Sequence, residues 1–184
     1  MKKPFLYNRA LAFGLVIPFV LLVIVLSGGS ALAKERAQRQ SVFYDGVEGD
    51  GLSIRHDLDA RLDAAYNMLT LAQRSNLRDD PLLEAIRQDH AALTEDVGIA
   101  ESYALDQALD RDVKQLYARA EEMGLSEEDQ RLLEKQYYEF LSREQTIGHD
   151  GYNAQAQAFN QTLSAFPASL IGSLYGVEPL EYFR

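Results

Sequence analysis

Residues 54–72 read IRHDLDARLDAAYNMLTLA. Ile54, Leu58, Leu62, Ala65, Leu69 and Ala72 recur at intervals of 4, 4, 3, 4 and 3, the spacing that returns side chains to one face of an α-helix. A strand would alternate every second residue, and this stretch does not. Ser53 stands where an N-cap should, and Asp57 and Asp59 fall near the positive end of the helix dipole. A helix with one apolar stripe must bury it against other elements, so the stretch predicts a bundle.

The following residues repeat the pattern. Asp80-Pro81 offers an N-cap and then a proline at the first helical position, where its missing N–H costs nothing; Leu82, Leu83, Ile86, Leu93 and Val97 face inward behind it. Gly98 and the polar residues around Glu101 and Ser102 are expected to bend or interrupt this helix. Leu105, Leu109, Val113, Leu116 and Ala120 renew the stripe to Met123, and Gly124 is placed to end it. Ser126, followed by Glu127, Glu128 and Asp129, starts a last long helix that carries Leu132, Leu133, Tyr137, Phe140, Ile147, Tyr152, Phe159, Leu163 and Phe166. A kink is expected at Gly148 and Gly151, and Pro167 stops the run. No strand-period segment appears, so the fold class is all-α: an antiparallel helical bundle of about four helices, spanning 53–184.

Upstream, the seven residues from Asp45 to Gly51, DGVEGDG, hold three glycines and three acids and are expected to form a flexible spacer. Calcium-loop spacing fails there, because Val47 and Gly49 occupy ligand positions. Between Arg9 and Lys34 no residue is charged, and the apolar heart from Ala10 to Leu26 would rise about 26 Å as a helix, nearly the thickness of a bilayer core. Residues 10–33 therefore read as a transmembrane anchor, preceded by a basic segment at 1–9 and followed by a juxtamembrane segment and spacer at 34–52. The small residues Ala31 and Ala33 before Lys34 also spell a signal-peptide cleavage site. The apolar run exceeds the roughly 7–15 residues of a signal core, which favours the uncleaved anchor. Lys34, Arg36 and Arg39 nearly balance Lys2, Lys3 and Arg9 across the span, and the bundle is expected outside the cytoplasm.

Charge narrows the partners. Of 18 basic residues three lie in the first 33, where there is no acid; the remaining 15 face 28 acids, a net −13. Such a surface repels nucleic acid, so none is expected as a partner. With no cysteine in the chain, thiolate chemistry, disulfides and a lipid-modified cysteine are excluded. His56, His90 and His149 stand apart in sequence without a Glu-x-x-His partner, and His90 with His149 is the single pair that bundle packing could bring together. Serine elbows, phosphate loops and dinucleotide fingerprints are absent. No catalytic residue, metal ligand or cofactor site is therefore assigned.

The ending stands apart from this acidic body, since the last 27 residues hold two acids and one base. Tyr152-Asn153, Phe159-Asn160, Phe166-Pro167, Leu170-Ile171, Tyr175-Gly176 and Tyr182-Phe183 follow one another in the order of the LemA family's C-terminal signature, which this segment resembles. The helix of 58–74 and the PLLEAI run from Pro81 are similar to the family's pattern as well. Ser169 stands where the family usually has asparagine, and two glycines interrupt its continuous basic helix, so the chain looks like a divergent member. The resemblance implies a bacterial membrane-anchored bundle discussed as an envelope-organising protein, without catalytic residues to carry over. It also implies that Phe159, Leu163 and Phe166 pack in the bundle while Leu170, Ile171, Leu174 and Tyr175 fold back over its end. Tyr182 and Phe183 are expected to dock beside Leu174 and Tyr175, or to serve with Tyr175 as a hook for a partner.

The expected function is a non-catalytic scaffold or protein-interaction module of the bacterial envelope, inserted in the membrane through Ala10 to Leu26 and meeting protein partners or a second copy. The alternatives are an enzyme or metal protein with a core site, and a secreted helical protein cut after Ala33.

Overall fold

The computed structural model describes residues 9–184, with side chains from Phe13 onward; Lys2 and Lys3 of the expected basic segment lie outside the described residues. Every regular element among these residues is helical: α1 (Arg9–Asp45), α2 (Ile54–Gln73), α3 (Pro81–Thr94), α4 (Ile99–Ala118), α5 (Glu127–His149), α6 (Tyr152–Ser164) and α7 (Ala168–Tyr175). Two short 3-10 turns lie at Val47–Gly49 and Ala120–Met123.

Local chemistry sets the boundaries. The Ser53 side chain accepts the His56 amide, Asp80 accepts that of Leu82, and Ser126 accepts that of Asp129, so the three expected N-caps are in place. Gly124 takes a left-handed conformation at φ 63°, the geometry that ends a helix and that glycine adopts without strain. The expected interruption is the gap 95–98, which ends on Gly98 as the N-cap of α4 and leaves Val97 outside α3; Glu101 and Ser102 belong to the start of α4. The expected kink is a full break, because Asp150 accepts the Tyr152 amide at 2.7 Å and starts α6 as a new helix.

The described residues divide into two units, one made of Gln40–Ala156 with Glu181–Arg184, the other of 9–39 with Gln157–Leu180. In the first, α2 packs on α3 and α5, and α4 on α3 and α5, which closes a ring of four. Its core holds Leu62, Met68, Leu69, Leu83, Ile86, Leu93, Leu109, Val113, Leu116 and Phe140, nearly all from the stripes legible in the sequence; Leu132, expected inward, is exposed while its neighbour Leu133 takes the buried place. Within the segment expected as a spacer, Gly51 N donates to Asp45 O at 2.9 Å, and the Leu52 amide to Asp50 Oδ1 at 3.0 Å, a local turn of the kind that Asp and Gly favour.

In the other unit α1 is the main element. The helix runs through the expected juxtamembrane segment to Asp45, 37 residues in all, or about 55 Å. The short helix α7 lies on it at Gly28 and Gly29: a Cβ on Gly28 would come within 3.1 Å of Ile171 Cδ1, and one on Gly29 would enter the Tyr175 ring. The Tyr175 hydroxyl donates to the Leu26 carbonyl at 3.2 Å. Ile171 is buried, as are Phe159 and Leu163, but Phe166 is 83% exposed and Leu170 and Leu174 are more than half exposed. Three of the apolar residues expected to pack thus face outward. Their α7 neighbours that do pack, Ile171 and Tyr175, sit against α1.

Candidate functional site

The carboxyl-terminal aromatics are built into a clasp. Within the bundle unit, Phe183 is 5% exposed, its ring 5.8 Å from that of Phe43 at the end of α1 and 5.2 Å edge-on to Tyr103 of α4. The neighbours expected from the sequence are Leu174 and Tyr175. Tyr152 closes the cluster at 5.4 Å from Phe43, and its hydroxyl donates to the Glu181 carbonyl at 2.8 Å. Asn153 makes a reciprocal pair with Phe183: its Nδ2 donates to the Phe183 carbonyl and its Oδ1 accepts the Phe183 amide, both at 2.9 Å. The Glu181 carboxylate accepts the Ala100 amide at 3.1 Å, which supplies α4 with the cap that Gly98 lacks. Tyr182 is half-buried, with the Arg184 guanidinium 4.2 Å over its ring.

A second asparagine repeats the device in the other unit. Asn160 donates to the Leu180 carbonyl at 2.9 Å and accepts the Leu180 amide at 2.7 Å. The two aromatic-Asn pairs of the sequence therefore each hold one backbone position of the tail, and the aromatic of each pair, Tyr152 or Phe159, is fully buried.

Sequence reasoning missed the other constellation, a charged group inside the bundle. Arg61, 1% exposed, donates from Nε to Asp106 Oδ1 at 2.8 Å, from Nη2 to Asp110 Oδ1 at 3.1 Å and from Nη1 to the Phe140 carbonyl at 3.1 Å, and its guanidinium lies 3.8 Å over the Phe140 ring. Asp110 also accepts Lys114 Nζ at 2.7 Å, and Lys114 reaches Glu144 at 3.2 Å. Arg143 joins α5 to α2 through Asp57 at 3.1 Å. Burial pushes the Asp106 carboxyl above its ordinary range, against the pull of Arg61. For Lys114 burial works downward, but the hydrogen bonds to Asp110 and Glu144 outweigh it and hold the ammonium above its usual value. Among the described residues no buried side-chain nitrogen or oxygen lacks a partner. Each Arg61 nitrogen has an acceptor from the protein, so the group ties α2 to α4 and α5. One signal could have found it: Arg61 and Asp106 sit on the apolar stripes, three residues after Leu58 and three before Leu109.

The histidines do not converge. His90 lies 5.7 Å from the Tyr66 ring, His149 Nδ1 is 2.7 Å from the Gln145 carbonyl and His56 is exposed. No group of three or more His, Asp or Glu side chains suited to a metal occurs among the described residues. An open cleft of about 660 Å³ at the start of α5 is lined by Tyr117, Leu133 and Arg131 with Glu121, Glu127 and Glu134, an acidic surface rather than an enclosed pocket.

A sequence model described as LemA family matches residues 52–184, more than two thirds of the chain. No curated protein and no solved structure matches it.

Proposed function

We propose, because this chain belongs to the LemA family and carries a helix suited to lipid, that it is a non-catalytic, membrane-anchored scaffold of the bacterial envelope. Its bundle stands outside the cytoplasm and meets protein partners or a second copy. One observation carries the reading. From Phe13 to Leu26 helix α1 exposes phenylalanine, leucine, isoleucine and valine, all but Val25 about half to two thirds open, without one charge. Water penalises such a surface, whereas lipid solvates it and the helix satisfies its own backbone. The bundle supports the scaffold reading, since its buried ionic groups are spent on holding helices together.

Reporters active only inside or only outside the cytoplasm, fused after Arg184, test the topology. The exterior reporter is expected to be active; activity of the cytoplasmic reporter alone would contradict the proposal. Metal analysis of untagged protein tests the non-catalytic reading, and stoichiometric metal would contradict it.

A further inference from the structure

Helix α7 has one side occupied and one side open. Ile171 and Tyr175 rest on the Gly28-Gly29 step of α1, two residues beyond the apolar run that ends at Leu26, while Phe166, Leu170 and Leu174 point away from any packing. Leu170 and Leu174, four residues apart on α7, form one ridge, and Phe166 stands exposed in the turn just before the helix. No charged residue occurs anywhere from Gly151 to Val177, in a chain where one residue in four is charged. An exposed apolar ridge in so charge-free a segment is unsuited to water.

We infer that α7 is a second membrane contact: it lies in the lipid interface beside α1, with Phe166, Leu170 and Leu174 immersed among the acyl chains. The inference rests on the anchoring proposed above. Continuity selects lipid as the occupant, because α7 sits at the end of the surface that α1 offers to the bilayer. Glycines at the crossing let the helices approach closely, as small residues do between helices in membranes. Tyr175, its ring against Gly29 and its hydroxyl on the Leu26 carbonyl, occupies the level where tyrosine is enriched, at the boundary between chains and headgroups. Its polar end stays bonded while its ring covers apolar surface.

The chain contains no cysteine, so single cysteines can be introduced into the full protein without a background. We would place a bimane label on Leu174→Cys, on Phe166→Cys, on Leu22→Cys within the α1 span and on Glu127→Cys in the bundle. Each protein would be reconstituted in phosphatidylcholine–phosphatidylglycerol vesicles with and without doxyl-labelled lipid. Loss of fluorescence to doxyl lipid at Leu174→Cys and Phe166→Cys, as at Leu22→Cys and unlike Glu127→Cys, is the expected result. Quenching at Leu22→Cys alone overturns the α7 inference and leaves the anchor standing. No quenching at Leu22→Cys defeats the anchor and this inference with it. Label–label quenching at Leu174→Cys that grows with protein density, without doxyl quenching, assigns the ridge to a second copy and also overturns it.

Discussion

Arg61 shows how much one side chain can decide in a bundle. Moving an ion from water into a protein interior is expensive, and the geometry recovers that cost only while every partner is present. Asp106→Ala should therefore destabilise the full chain in detergent by about 3–5 kcal/mol, as removal of one partner of a buried pair does. The double change Arg61→Met with Asp106→Leu should restore most of the loss, since both charges then vanish together. Urea unfolding followed by circular dichroism checks both, and a single-variant cost below about 1 kcal/mol would show that the pair is solvated and not buried. A pH dependence follows from Asp106. Its folded carboxyl keeps a proton to higher pH than the unfolded one, so its contribution is full at low pH and declines as pH rises from the ordinary carboxylate value through the raised one. Asp106→Asn should remove that decline, read as the difference between variant and wild-type midpoints over one pH series; parallel profiles would contradict it. Periodicity hid this residue, because an arginine between apolar positions reads as an interruption until its partner on another helix is in view.

Among the elements, those governed by local rules were legible. Ser53, Asp80-Pro81, Ser126 and Gly124 sit where caps and stops belong, and a helix end depends on a few neighbouring residues. The tail was legible only as a family likeness. Its apolar residues announce burial but not the surface that receives them, which long-range packing decides. The asparagine clasps make it testable. Asn153→Ala removes the acceptor of the Phe183 amide, and Asn160→Ala that of the Leu180 amide, each leaving a backbone group unpaired at about 1–3 kcal/mol. Hydrogen exchange should speed up at Phe183 in the first variant and at Leu180 in the second; unchanged rates would mean that the amides are protected by something else. Deleting Glu181 to Arg184 takes away Phe183 and the α4 cap, and should lower the melting temperature by several degrees if about 2 kcal/mol is lost. An unchanged melting temperature would make these residues a free hook for a partner. At the crossing of α1 and α7, Gly29→Leu should force Tyr175 away, seen as faster exchange across Ala168–Tyr175.

For the whole molecule, the two readings of the amino terminus differ in what becomes of Gly28 and Gly29. A signal peptidase cut after Ala33 would discard the surface on which Ile171 and Tyr175 rest, and small residues that spell a cleavage site also allow close helix packing. That double meaning is why the sequence favours the anchor by the length of its apolar run alone. The packing of α7 on Gly28 and Gly29 supports the retention proposed above. The intact mass of the untagged native protein, measured on a carbonate-washed membrane fraction, tests this most directly. Retention predicts the mass of the full 184-residue chain in the washed membranes. A chain beginning at Lys34, recovered in the soluble fraction, would contradict it.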